Sequence, residues 1–294
     1  MLKEWRGQSR GTVLGYKIFV FCIKKLGLGV AYFVLYFVSS YFFFFAWGNT
    51  KANYNYFRKR QQFSSLKSII SIFRSYYVFG QTIIDKIAIP SGLRDKFSYH
   101  FDGVELINET LRNKKGGILI SAHVGNFEIA EYFFGELEEK AAINILTTDS
   151  EHSDIKTYLE SVTDKPNVNL IYIQEDLSHI FEINAALARN ELVCITGDRY
   201  VKGAKYLSEI FLNEEAAFPA GPFLISSRLR VPVLFVYVMK ETRTHYHLYT
   251  RKAEFKQRDA QALLKEYIES LSWILNQYPL QWFNYFYFWN THKK

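Results

Sequence analysis

The chain has 294 residues, is 49% hydrophobic and 18% aromatic, and carries a net charge of +7. That length gives one large domain or two small ones with a sizeable core. Residues 1–60 hold ten Lys/Arg against the single acid Glu4, or +9, so the remainder sums to −2. The basic character is therefore local, which excludes a nucleic-acid footprint spread over the chain and suits anionic headgroups or the flank of a membrane helix. Cys22 and Cys194 lie far apart and outside any CxxC or Cys/His cluster, so neither a disulfide framework nor a structural zinc site is expected.

In chain order, the first element is the uncharged run Leu26 to Trp47, LGLGVAYFVLYFVSSYFFFFAW. Its length matches a bilayer-crossing helix, and it is too long for a secretory signal. Its tyrosines and phenylalanines equally suit a helix lying in the interface, and a buried core helix has the same pattern. Both flanks are basic, so orientation stays open. Residues 61–89 show helical apolar spacing at Leu66, Ile69, Ile70, Ile72 and Phe73, broken at Pro90 and Gly92. Residues 103–113 read as a further helix.

From residue 116 strands and helices alternate. GGILISA, AAINILTT, VNLIYI and ELVCITGDR read as strands, with helices predicted over NFEIAEYFFGEL, SDIKTYLESVT and LSHIFEINAALARN between them. A helix beginning at Pro222, two closing strands over 231–240 and 245–255, and an amphipathic helix over 259–278 complete the chain. The alternation implies an α/β fold with a mostly parallel sheet flanked by helices, behind an N-terminal hydrophobic membrane helix. The boundary falls at residue 60, with a basic anchoring region before it and a catalytic domain over 61–294.

Sites in open α/β sheets form at the carboxyl ends of strands. Two strands end in polar groups, one in His123 and one in Asp198 and Arg199. Within one helix, His123 and Glu128 would stand about 140° apart. With His123 at the strand end, Gly125 in the turn and Asn126 as N-cap, Glu128 falls in the first helical turn and can answer the imidazole. Such a carboxylate fixes the tautomer, and the histidine becomes a general base. By spacing alone, a structural histidine beside a capped helix accounts for these residues equally well. His152, in a polar stretch, could face an acceptor. His179 reads as packing. His245 and His247 alternate along a strand without a carboxylate–cysteine cluster, so no metal is expected. A hydrolase in which the same dyad activates water is a third reading, against which no G-x-S-x-G elbow occurs near any strand end.

SAHVGNFEIAE resembles the H-x4-D/E block of the lysophospholipid acyltransferase superfamily, and more narrowly the late lipid A acyltransferases, with His123, Gly125, Asn126, Phe127 and Glu128 in register. GDR at Gly197–Arg199, FPAGPFLISSRLRVPV at Phe218–Val233 and YPLQWFNYFYFW at Tyr278–Trp289 are similar to later family blocks, in order. The resemblance implies a glycerol-3-phosphate acyltransferase-like fold. It implies that His123 deprotonates an acceptor hydroxyl, that Glu128 orients it, and that Gly125, Asn126, Asp198, Arg199 and Gly221 contact substrate. Arg199 would meet an anionic group or the developing oxyanion, or pair structurally with an acid. Asp198 would position Arg199 or its loop. Ala220 stands where the wider superfamily has an acid, and no arginine follows. The aromatic C-terminal block would serve packing, or alternatively line an acyl tunnel. The donor would be acyl carrier protein or coenzyme A carrying the chain, with no cofactor and no metal. The acceptor would be a lipid A precursor, with an aminolipid or lysophospholipid as alternative and a non-catalytic lipid-binding relative as the second reading. The location implied is a bacterial inner membrane, with the catalytic domain on its cytoplasmic face.

Overall fold

The structure, a computed structural model, describes residues 20–132, 141–147, 168–174, 176–200 and 203–289, apart from the side chains of Cys22, Lys24, Glu128 and Glu131. The helix expected over 153–163 and His152 lie outside the described residues. The described residues form two compact units. One runs through Ser98 and takes in Tyr278–Phe288; the other comprises residues 99–147, 168–277 and Trp289.

In the N-terminal unit, α1 (Leu28–Phe45) is 18 residues long and apolar enough to cross a membrane by length and composition. At 1.5 Å per residue it spans about 27 Å, close to the roughly 30 Å of a bilayer's hydrocarbon core. A short helix, α2 (Trp47–Asn55), follows, and then α3 (Ser65–Ala88). Ser64 caps α3 by accepting from the Lys67 N–H at 3.3 Å. The helical path breaks at Ser91 and Gly92, where the backbone turns non-helical (Gly92 φ 90°), as the Pro–Ser–Gly sequence predicts. The C-terminal aromatic block packs on α3: Phe283 lies 4.9 Å from Phe79, and Tyr285 lies 5.0 Å from Tyr76. Trp282 meets Tyr56 at 5.1 Å. Within this unit the block is core.

The second unit is built on a seven-stranded sheet in the order β1-β9-β8-β2-β5-β3-β4. The strands are β1 (Ser98–Asp102), β2 (Gly117–Ser121), β3 (Ile143–Thr147), β4 (Val168–Tyr172), β5 (Leu192–Thr196), β8 (Val233–Lys240) and β9 (His245–Lys252). Strands β4, β3, β5, β2 and β8 run parallel, and β9 returns antiparallel to β8. Helices α4 (Val104–Arg112), α5 (His179–Ala188), α6 (Ala220–Arg228) and α7 (Ala260–Gln277) flank the sheet. A separate hairpin pairs β6 (Tyr206–Phe211) with β7 (Glu214–Pro219).

The central strands are continuous apolar runs because both faces are covered. β2 and β8 are buried at every residue. On one face Ile107 and Leu111 of α4 meet Leu119, Leu192, Cys194, Leu234 and Val236. Each such aliphatic side chain contributes about 1.5–3 kcal/mol on burial. On the other, the Tyr267 ring of α7 lies 5.3 Å from Phe223 of α6 and 5.7 Å from Phe235 of β8.

Three sequence expectations need correction. The segment after His123 opens as a 3₁₀ helix (Phe127–Tyr132), not an α-helix. α6 starts at Ala220, two residues before Pro222, because β7 runs through Pro219 and the Ala220 N–H donates to the Lys205 carbonyl at 3.0 Å, closing the hairpin. Finally, β1 and the β6–β7 hairpin were not anticipated. β1 is a half-exposed edge strand, and the hairpin turns at Leu212 and Asn213 with φ of 47° and 69° and no glycine to announce it.

Candidate active site

β2 and β5 are adjacent, parallel and in strict register, from Gly117 opposite Leu192 to Ser121 opposite Thr196. The pairing continues beyond the strands, since the Gly197 N–H donates to the Ser121 carbonyl at 2.9 Å. One step further, His123 stands opposite Asp198. The His123 Nδ1 lies 2.7 Å from Asp198 Oδ1, and the His123 backbone N–H donates to the same oxygen at 3.1 Å. Asp198 is fully buried, whereas the His123 side chain remains 30% exposed.

A carboxylate can only accept, so this geometry places the proton on Nδ1 and leaves the Nε2 lone pair for chemistry. The two-pronged grip fixes the ring relative to its own backbone. The expectation from sequence gave this orienting role to Glu128 and a loop-positioning role to Asp198. In the structure the carboxylate on Nδ1 comes from Asp198, 75 residues further along the chain. The Glu128 side chain lies outside the described residues.

The turn after His123 is shaped by contact with β8. The Asn126 N–H donates to the Val238 carbonyl at 2.7 Å. Gly125 has φ +55°, and a Cβ there would lie 2.0 Å from that carbonyl oxygen. Only glycine lets the backbone pass so close in this conformation. The Asn126 side chain, expected as a helix cap, donates to the Tyr246 hydroxyl of β9 at 3.4 Å.

Arg199 follows Asp198 on the same loop and is half-buried. Protein atoms crowding its guanidinium push its pKa down to about 10, while the neighbouring Asp198 carboxylate pulls it back up. It still carries its charge at neutral pH. Gly221 lies exposed in the first turn of α6, with open space where a Cβ would stand. Two residues later, the Phe223 ring sits beside Gly197, where an added Cβ would meet Phe223 and Tyr267 at 3.1 Å. The start of α6 is thereby placed next to the strand end that carries Asp198.

Sequence reading missed the phenols beneath the pair. The Tyr267 hydroxyl donates to the Ser121 carbonyl at 3.1 Å, and the Tyr237 hydroxyl donates to Ser270 Oγ at 3.1 Å. Burial, then the Asp198 charge and Tyr237, push the Tyr267 phenol well above its ordinary range, so it stays a neutral donor. The available signal was a tyrosine within the buried stripe Leu263, Leu264, Tyr267, Ile268 and Leu271 of α7, since a buried phenol takes a partner.

Among the other histidines, His179 is buried, with Nδ1 accepting from the Gln174 N–H at 3.2 Å. His245 and His247 flank Glu241 at 3.7 and 3.1 Å. Among the described residues no group of three or more His, Cys, Asp or Glu side chains is arranged to hold a metal ion.

The model of the bacterial lipid A biosynthesis acyltransferase family matches residues 7–291. No curated protein matches the chain. The family match spans the His123 turn, the Asp198–Arg199 loop and the aromatic C-terminal block, and it covers nearly the whole sequence. The chain therefore belongs to the bacterial lipid A biosynthesis acyltransferases.

Proposed function

We propose that this acyltransferase moves a fatty acyl chain from a thioester donor to a hydroxyl of a lipid A precursor, with His123 as general base. The observation that carries the reading is the His123–Asp198 pair at the ends of two adjacent central strands. His123 Nε2 takes the proton from the acceptor hydroxyl as its oxygen attacks the thioester carbonyl. Asp198 holds the Nδ1 proton and balances the imidazolium that forms. The tetrahedral intermediate collapses by breaking the C–S bond, and the imidazolium returns its proton to the departing thiolate. Arg199, charged and half-buried beside the pair, is the group we assign to the oxyanion or to an acceptor phosphate. We keep Glu128 as a second proposed catalytic carboxylate; with Nδ1 facing Asp198, its proposed role is no longer to fix the ring tautomer.

The proposed donor carrier is acyl carrier protein or coenzyme A, and the proposed acceptor is an acylated glucosamine disaccharide. Gly125 shapes the turn and Asn126 ties it to β9, while the exposed Gly221 is the proposed substrate contact at the start of α6. The proposed location is the cytoplasmic face of a bacterial inner membrane, with α1 as an anchor, supported by its length and composition.

The test is acyl transfer by purified enzyme, together with mass spectrometry of membrane lipids from cells with and without the chain. His123→Ala should abolish transfer and leave the fold intact. Normal turnover by that variant would overturn the assignment of the base. A lipid other than a glucosamine disaccharide losing its acyl chain would move the acceptor to an aminolipid or lysophospholipid.

A further inference from the structure

α1 is apolar all round, but its two faces have different surroundings. Leu28, Ala31, Tyr32, Leu35 and Ser39 are buried. On this face the Tyr32 hydroxyl donates to the buried Asp85 of α3, and the Tyr77 hydroxyl donates to the Tyr32 carbonyl at 3.2 Å. The opposite stripe, at three- and four-residue spacing, stays uncovered: Phe33 is 66% exposed, Phe37 61%, Tyr41 59% and Phe44 69%.

α3 extends this uncovered face. Tyr32 meets Asp85 and Phe43 meets Phe73, at 6.2 Å between ring centroids, so the helices are antiparallel. The C-terminal half of α1 therefore lies beside the N-terminal half of α3. There Leu66, Ile69 and Ile70 are exposed, although they belong to the apolar stripe that predicted the helix. Phe73 bridges the two sets, 5.1 Å from Tyr36. A contiguous exposed apolar surface of this kind marks an interaction site.

Charge identifies the occupant. Residues 20–84 contain eight Lys/Arg and no Asp or Glu. Lys51, Arg58, Lys59, Lys67 and Arg74 are exposed. Among the described residues of this unit, the acid that comes first is Asp85, which is fully buried. Aromatic and aliphatic groups rimmed by exposed cations are what an anionic bilayer surface takes up.

We infer that α1 and the N-terminal half of α3 form one docking face for an anionic lipid bilayer, with Leu66, Ile69 and Ile70 entering the acyl region beside Phe44. This goes beyond an anchor made by α1 alone. One face of α1 is occupied by α3, so lipid meets the pair from one side.

The test uses the full-length protein and vesicles of phosphatidylglycerol or phosphatidylcholine, with flotation after detergent removal. The Leu66→Gln, Ile69→Gln, Ile70→Gln variant keeps α1 whole and should partition into phosphatidylglycerol vesicles about tenfold less than wild type. Wild type should prefer phosphatidylglycerol, and the preference should shrink at about 0.5 M salt. Unchanged partitioning of the variant would show that α1 anchors alone and overturn the inference. So would unchanged vesicle binding accompanied by loss of a dimer, which would assign the face to a second copy. If the triple variant fails to fold, Lys51→Gln, Arg58→Gln, Lys59→Gln decides the matter, and a retained phosphatidylglycerol preference overturns the inference. Acyl transfer to detergent-dispersed substrate should stay at the wild-type level in both variants, which separates this outcome from any failure of the proposed chemistry.

Discussion

Asp198→Asn removes one charge from the site while keeping the shape of a fully buried side chain. In the native structure Oδ1 accepts from the His123 backbone N–H at 3.1 Å and faces Nδ1 at 2.7 Å. An amide oxygen can still accept both hydrogen bonds, so the ground state loses little. The loss comes when Nε2 takes a proton and the ring becomes cationic. Hydrogen bonds to charged groups are worth about 1.5–3 kcal/mol against about 0.5–1.5 for neutral ones. Only the Nδ1 bond changes character at that step, so the loss is about 1–1.5 kcal/mol at the transition state, or roughly 5- to 13-fold in kcat. If the amide rotates and presents its NH2 group, the ring is forced into the other tautomer and the loss rises toward about 10⁴-fold. The assay is single-turnover acyl transfer with saturating donor, together with KM for the acceptor and a thermal melt. kcat should fall while KM and the melting temperature hold. A kcat within about threefold of wild type would refute Asp198 as the orienting carboxylate, and a change confined to KM would assign it to acceptor binding.

Gly125→Ala should cost about 3 kcal/mol or more, because the new Cβ falls 2.0 Å from the Val238 carbonyl oxygen at φ +55°; differential scanning calorimetry reads the loss, and an unchanged melt would mean the turn is free to move. Burial pushes the Cys194 thiol up to about 12. In a Cys22→Ser background, Cys194 should resist iodoacetamide at pH 8 until denaturant is added, and rapid labelling of native protein would contradict its burial. The same shift carries a pH sign: above the ordinary thiol value the unfolded chain ionises and the folded one does not. That group's contribution should fall by about 1.4 kcal/mol per pH unit toward pH 12 and be constant below pH 8. Tyr32→Phe removes a donor from the buried Asp85 and should cost about 1–3 kcal/mol; urea unfolding monitored by tryptophan fluorescence would show it.

Local pattern alone placed every parallel strand and most helices, because apolar runs bounded by glycine and polar turns carry the signal residue by residue. His123, Asp198 and Arg199 were also legible as polar groups at strand ends. Edge strand β1 was not, since a half-exposed strand lacks a continuous apolar run. Nor was the β6–β7 hairpin, whose Leu–Asn turn lacks the usual glycine. The partner of His123 was decided by tertiary structure alone. Glu128 is five residues away in sequence and Asp198 is 75, yet the parallel register of β2 and β5 sets the distant carboxylate at 2.7 Å from Nδ1. In hindsight GILISAH and LVCITGD are the same length from first strand residue to polar end, but that match has meaning only if the two strands are neighbours. Strand adjacency is a property of the whole sheet, set by which apolar faces α4 and α7 cover, and no local spacing encodes it.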